Sequence, residues 1–433
     1  MAFFFTCLFM FFVFWRPQDW LVPALYGWPM LDMVFFLAVL AFLGDLKSGR
    51  ARVASGHHVG LLVGLWVSAM ASHIPYRYFV GMLNSMVDVG RLCFFALLLL
   101  CVLDRMSRLR NMALLITAMA ALMAVHVLLQ QRLGYGFGGQ MPLLIPGPEG
   151  DMYVRTKFFG IFADPNDTAQ MLGAAIPLLL AVPKRMSFWK FLIVVPVAVL
   201  LVLGVLSTRS RGGLIGLAAI PLGLLLLSIP PRLASMFLVA GALAGLSVMF
   251  VLGPRLLDVS AHDRVVMWGV ANYAFARSPL FGIGQGMWLE FVGRRSSHNA
   301  FVSCYTETGL LGYWFWFGLL VLCWRGQLRV RSFLRHEKGV EAAFLRRFSG
   351  VATVSLFSFC TSAYFLTRAW IYPMYFLIGL VSAGYLVAWR RFPDAGRFRF
   401  NTGRDILGFN TVATLGSMIY VYVSILILNA VVG

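Results

Sequence analysis

The sequence predicts an all-α polytopic transmembrane bundle of about twelve spans. Three observations carry that prediction. Of the 433 residues, 60% are hydrophobic and only 12% are charged, which is more apolar than a soluble domain needs. Apolar runs long enough to span a bilayer recur along the whole length. The basic residues are also unevenly divided between alternate connections, as the positive-inside rule expects of a polytopic chain.

The apolar runs lie at 2–15, 29–44, 57–72, 86–103, 111–130, 166–182, 191–206, 213–229, 233–252, 298–323, 348–367 and 373–389, with a further stretch at 411–430. The first is short and runs into Arg16-Pro17-Gln18-Asp19, so it is tilted or incomplete and the count is twelve or thirteen. Met1 to Trp15 has no basic n-region and no small-residue cleavage site, so it does not read as a secretory signal. All six Cys (Cys7, Cys93, Cys101, Cys304, Cys323 and Cys360) sit within apolar runs without a Cys-x-x-Cys pair. They read as packing residues.

The formal charge of +19 would point to nucleic acid in a soluble protein. Here it follows topology. The connections 45–56, 104–110, 183–190, 230–232, 324–347 and 390–410 hold 22 of the 36 Lys and Arg but 6 of the 17 acids. That set is expected in the cytoplasm, with the N-terminus inside, and nucleic acid is dropped as a partner. On the other side the two long connections are 131–165 and 253–297, and loops this long in a compact protein are usually functional. The first is rich in Gly and Pro and reads as irregular. The second holds a helical stretch, Asp263 to Arg277, expected as an amphipathic helix on the outer surface, then a Ser278-Pro279 stop and the tight Gly282-Ile283-Gly284-Gln285-Gly286 run. That Gly run is no nucleotide motif, since no strand precedes it and no Lys-Ser/Thr follows. Nothing marks a separate soluble domain, so residues 1–433 read as one integral membrane domain.

Three spans start on the non-cytoplasmic side with polar residues. They read Asp164-Pro165-Asn166-Asp167, Ser207-Thr208-Arg209-Ser210-Arg211-Gly212-Gly213, and Arg295-Ser296-Ser297-His298-Asn299. Helix N-termini offer unpaired N–H groups and partial positive charge, which suit anions. In the third, Ser296 or Ser297 is the expected cap, with His298 in the first turn, where the helix dipole disfavours imidazolium. A neutral imidazole can accept a proton as a general base. Arg264 opens the helix in the loop between the last two.

Each residue has a bland alternative. Arg209 and Arg211 can be snorkelling anchors, although outer-face Arg runs against the positive-inside rule unless something pairs with it. Asp164-Pro165 reads as a helix cap with Pro at the first helical position. Arg264 can pair with Asp263 or Asp258, and His298 can be a satisfied interface His. His57, His58 and His336 read as solvated residues of basic loops, and His73, His126 and His262 have no partner in the sequence. No metal constellation is visible, so a phosphate leaving group here would need guanidinium in place of a divalent ion.

Taken in order, the Asp-Pro-Asn segment, Ser210-Arg211-Gly212-Gly213, Arg264 with Trp268, Ser278-Pro279-Leu280-Phe281-Gly282-Ile283-Gly284, His298-Asn299-Ala300-Phe301 and Glu307-Thr308-Gly309-Leu310-Leu311-Gly312 resemble the O-antigen ligase and O-antigen polymerase superfamily of bacterial envelope glycosyltransferases. The resemblance covers roughly residues 155–320. Arg16-Pro17-Gln18-Asp19-Trp20 resembles the exosortase-associated ligase branch. The resemblance implies an inverting, metal-independent glycan transfer, without a cofactor, at the periplasmic face of the inner membrane. It moves polysaccharide from undecaprenyl diphosphate to lipid A–core oligosaccharide. It also implies that His298 is the base and that Arg211, with Arg209 close by, and Arg264 bind diphosphate, with Asn166, Asn299 and Arg295 supporting. Two alternatives stand beside the ligase: a polymerase or protein O-oligosaccharyltransferase with the same chemistry, and a lipid-linked oligosaccharide flippase or other transporter. The last predicts broken helices or charges near mid-membrane, where Asp32, Asp88, Arg91 and Glu307 are the few candidates.

Overall fold

The computed structural model describes residues 1–146, 152–181, 187–230, 233–234, 236–238, 240–241, 244, 259–293, 296–392 and 399–432. Its long helices are α1 (Ala2–Trp15), α2 (Met30–Lys47), α3 (His57–Ala71), α4 (Phe79–Val102), α5 (Met106–Leu133), α6 (Pro165–Leu178), α7 (Phe188–Ser207), α8 (Arg211–Ser228), α9 (Val259–Arg277), α10 (Ala300–Phe333), α11 (Val340–Ala363), α12 (Tyr372–Arg391) and α13 (Thr411–Val432). The chain is an all-α polytopic membrane protein. Among the described residues, eight helical segments are long and apolar enough to cross a bilayer. The expected stretches 2–15, 29–44, 166–182, 233–252 and 348–367 are not among them, and for three of these the reason is visible. Helix α1 is 14 residues long and ends at Arg16, which takes a left-handed conformation. Helix α6 is also 14 residues long, with Pro177 near its end. The stretch 233–252 lies largely outside the described residues.

Helix α12 is the most enclosed of the candidate spans, whereas α7 lies at the periphery. Around α12 the packing is set by small side chains. On α11, Ser355, Ser358 and Ser362 lie on one helical face. Their hydroxyls donate to Ala174 O at 2.5 Å, Gly216 O at 2.7 Å and Gly212 O at 2.8 Å. A Cβ at Gly216 would come within 3.1 Å of Ser358 O, so the glycine is what lets α8 approach the backbone of α11. This is the small-residue packing that membrane helices use where no hydrophobic drive separates them from lipid. The order of these contacts makes α6 and α8 antiparallel to α11. It therefore brings the N-termini of α6 and α8 to the C-terminal end of α11.

Helix α9 is longer than the Asp263–Arg277 stretch expected from sequence, and its apolar face has a partner. Asn429 Nδ2 donates to Val265 O at 2.9 Å and Asn272 Nδ2 to Tyr422 O at 3.1 Å, so α9 runs antiparallel alongside α13. The first long connection is more regular than its Gly and Pro content implied. It carries a small antiparallel hairpin, β1 (Leu143–Pro146) on β2 (Met152–Arg155), with Leu143 opposite Arg155. It is pinned by His126 of α5, whose Nδ1 accepts from Phe137 N at 3.0 Å while Nε2 lies 2.8 Å from Gln140 Oε1. His126, which had no partner in the sequence, therefore has a structural one.

Candidate active site

Four chain segments meet at the end of the bundle where α6, α8 and α10 begin. The first is the α6 cap. Asp164 is the N-cap and Pro165 the first helical residue, as the sequence implied. Asp164 Oδ1 accepts from Asn166 N at 2.7 Å and from Asn166 Nδ2 at 2.9 Å. That leaves Asn166 Oδ1 to accept from Ser210 Oγ at 2.7 Å and from Arg155 Nη2 at 3.0 Å. Asn166 is therefore the joint between the α6 cap, the hairpin and the α8 cap.

The second segment is the tight turn between α7 and α8. Ser210 is the α8 N-cap and its Oγ accepts from Gly213 N at 3.0 Å. Arg209 is forced into the left-handed region, with φ 52°, and its guanidinium lies 5.6 Å from the Tyr153 ring centre. Arg155 Nε donates to Thr208 O at 3.2 Å. Arg209 and Arg211 are both exposed. Asn166 thus acts through the two caps, and the exposed Arg209 and Arg211 flank Ser210, which it holds.

The third segment holds His298, and here the expected local structure is corrected. Neither Ser296 nor Ser297 caps α10. Asn299 is the cap, its Oδ1 accepting from Phe301 N at 2.9 Å and Val302 N at 3.2 Å. His298 thus precedes the helix instead of lying in its first turn. Its φ is 46°, a conformation that is costly for a residue with a Cβ and persists only when its surroundings impose it. The constraint is visible: His298 N donates to Thr367 Oγ1 at 2.7 Å, and Ser297 Oγ donates to Asn299 O at 2.9 Å. The indole of Trp268 on α9 donates to Ser297 O. The imidazole is held below its ordinary pKa by burial first and then by the Arg264 guanidinium, with Asp164 opposing and Arg368 adding to the depression. The neutral form is therefore favoured, through burial and neighbouring cations instead of a helix dipole. Arg295 lies outside the described residues, as does Asp258, one of the two partners considered for Arg264.

The fourth segment, 362–370 between α11 and α12, was missed in the sequence. Arg368 forms a bidentate ion pair with the buried carboxylate of Asp167. Thr367 holds the His298 amide, and Phe365 packs over Gly212, where an added Cβ would lie 3.3 Å from Phe365 Cβ. One signal pointed to it. Arg368 is another Arg on the expected outer side, and the positive-inside argument that lifted Arg209 and Arg211 applies to it equally. Arg155 is a further case.

Beneath this site α10 is broken. Gly309 has φ 65° and ψ −169°. The 278–287 loop fills the gap with backbone hydrogen bonds: Leu310 N to Pro279 O at 2.8 Å, Leu311 N to Leu280 O at 3.1 Å, Ile283 N to Thr306 O at 2.9 Å and Gly284 N to Glu307 O at 3.0 Å. A Cβ at Gly309 would lie 2.3 Å from Leu280 O, and one at Gly282 would lie 2.5 Å from Glu307 O. The two Gly-bearing motifs therefore occur together because each needs the other to lack a side chain. The buried Glu307 carboxylate accepts from Gly286 N at 3.2 Å and Trp370 Nε1 at 2.8 Å, tying the loop to the fourth segment. A broken helix with a buried acid is what a transporter would use. Here the freed groups are taken up by the chain itself.

Comparison with known families adds an independent finding. A family model described as O-antigen ligase matches residues 196–317. That range includes Arg209, Arg211, Arg264, His298 and the Gly282 and Gly309 motifs, and it excludes Asn166 and the 362–370 segment. No curated protein matches the chain.

Proposed function

Because the chain belongs to the O-antigen ligase and polymerase superfamily, we propose that it is an O-antigen ligase, transferring polysaccharide from undecaprenyl diphosphate to lipid A–core oligosaccharide at the periplasmic face of the inner membrane. The observation that carries the proposal is the setting of His298. Its backbone is fixed by Thr367, and its imidazole is kept neutral by burial and by the cations Arg264 and Arg368. In this reading His298 takes the proton from an acceptor sugar hydroxyl while that oxygen bonds to the anomeric carbon of the donor. The bond from that carbon to the diphosphate oxygen breaks, and the electron pair leaves with the diphosphate. Attack opposite the leaving group inverts the centre.

Arg209, Arg211 and Arg264 bind the diphosphate and stabilise the charge that grows on it, an interaction strongest in the transition state. Guanidinium suits this task because its fork matches phosphate oxygens in pairs. Asn166 and Asn299 act as positioning residues, each through a helix cap. General base assistance contributes about 10²–10⁴ in rate. Orientation supports the same reading. The charge-rich connections 324–347 and 390–410 lie at the opposite ends of α10 and α12 from His298 and Arg368, so a cytoplasmic location for them puts His298 outside.

The test is acceptor choice. Purified protein is given one lipid-diphosphate donor and, in separate reactions, lipid A–core, free repeat-unit donor and an acceptor polypeptide. Modification of lipid A–core is the expected product. Chain extension of the donor or polypeptide glycosylation, with lipid A–core untouched, would reassign the protein to another activity of its superfamily.

A further inference from the structure

The opposite end of α3 and α12 carries a second polar cleft that the proposed transfer does not use. Helix α3 is 15 residues long and α12 is 20, about 22 and 30 Å at 1.5 Å per residue. At one end, Ser72 just beyond α3 accepts from Gln285 N at 2.9 Å and so touches the 278–287 loop below His298. At the other end, the N-terminus of α3 faces residues 399–402. The cleft there has an open part of about 740 Å³ and an inner pocket of about 190 Å³, and Gly56, His57, Arg399 and Phe400 line both. His58 and Trp389 wall the inner part.

Three features of this cleft point to an anion. The N-cap of α3 is Gly56, φ 116°, and no side chain caps the helix, so the first-turn amides and the positive end of the dipole face the opening. His58 is only 2% exposed, lines the inner pocket, and its Nε2 has no hydrogen-bond partner among the described residues. A buried ring nitrogen left open is costly unless a ligand or water meets it. Arg399 is exposed, and its guanidinium lies 5.5 Å from the Trp389 ring centre, a stacking contact that leaves its N–H groups available. Among the described residues the acid nearby, Asp405, is already engaged by Arg325 at 3.0 Å and Arg329 at 2.5 Å, with Arg404 at 3.9 Å. His57 Nε2 lies 3.0 Å from Thr402 Oγ1, bridging the two walls. The expectation that His58 is solvated is thus overturned: Tyr385 and Phe400 cover it, with ring centres 5.3 and 6.1 Å away.

We propose that this cleft is a binding site for a phosphate group, carried by a lipid headgroup or free in solution. Arg399 and the α3 amides take the phosphate oxygens, His58 Nε2–H donates from the inner wall, and Trp389 and Phe400 offer apolar surface to the ester side. Basic pockets between transmembrane helices at the cytoplasmic surface suit acidic headgroups.

The experiment uses the full chain purified in detergent, with its thermal unfolding midpoint followed against three probes at constant ionic strength: dihexanoyl-phosphatidylglycerol, sodium phosphate and dihexanoylglycerol. A saturable rise with the phosphatidylglycerol alone assigns a lipid headgroup, and an equal rise with sodium phosphate assigns the free ion. In either case the rise falls at least threefold in Arg399→Ala and His58→Phe. The proposal is overturned if neither phosphate probe shifts the midpoint, if dihexanoylglycerol shifts it equally, or if the variants respond like the parent. Should His58→Phe not fold, Arg399→Ala decides, because that side chain is exposed and its contact with the Trp389 ring lies at the surface. None of these outcomes depends on glycan transfer.

Discussion

The two ends of the bundle use the same parts, a histidine pair of contacts, arginines and a helix N-terminus, but they leave different groups open. At the His298 end side chains cap the helix starts: Asn299 caps α10, Ser210 caps α8, Asp164 caps α6, and Thr367 holds the His298 amide. What remains to meet a ligand is side-chain chemistry on a fixed frame, as a reacting site requires. At the His57 end, α3 has no side-chain cap and a buried His58 nitrogen is open. What remains there is a set of donors around a cavity, which suits binding without chemistry. The contrast shows that a count of basic residues separates neither role, because topology puts most Arg at the second end whatever it does.

The comparison breaks most severely if the frame under His298 is removed. Gly309→Val is expected to prevent stable folding or to abolish transfer, since even its Cβ would overlap Leu280 O. Folded protein with parental activity, judged by size-exclusion profile and transfer assay, would show that the loop does not brace α10.

Next in size is the chemistry itself. His298→Ala should lower transfer by about 10²–10⁴ while the protein still inserts.

Smaller again is the Asp167–Arg368 pair. Asp167→Ala leaves the half-buried Arg368 without its carboxylate and should cost about 1–3 kcal/mol, less than for a fully buried pair because Arg368 keeps part of its hydration. The double variant Asp167→Leu with Arg368→Leu should recover much of that stability in thermal unfolding. Its transfer rate should stay low. Full recovery of both would reduce the pair to packing.

The smallest effect expected is a shift in pH dependence. Burial and Arg264 hold the His298 pKa down, so the base stays neutral, and the rate is kept, to lower pH than for an ordinary histidine. Arg264→Ala removes one depressing cation and should raise that pKa, moving the acid limb of the rate profile to higher pH. An unmoved limb would separate Arg264 from His298.

Much of this was legible in the sequence. Hydropathy located most of the spans, and the Asp164-Pro165 cap followed from local residue types. What escaped has a common physical origin in contacts distant along the chain. Four consecutive residues, Ser296 to Asn299, included three that can cap a helix; Asn299 does so, and the preceding His298 amide is held by Thr367, 69 positions away. Arg368 follows directly on the 348–367 apolar run, and its partner Asp167 lies 201 positions earlier. His58 sits in a basic loop by sequence and is buried by residues 385 and 400, which no local pattern could place over it.

The measurement that tests the account most directly is donor binding and transfer on the same preparation of His298→Ala. With a lipid-diphosphate donor and lipid A–core, the variant is expected to bind donor within a fewfold of the parent, because the proposal assigns the diphosphate to the arginines, and to transfer almost nothing. Transfer at the parental rate would contradict His298 as the base.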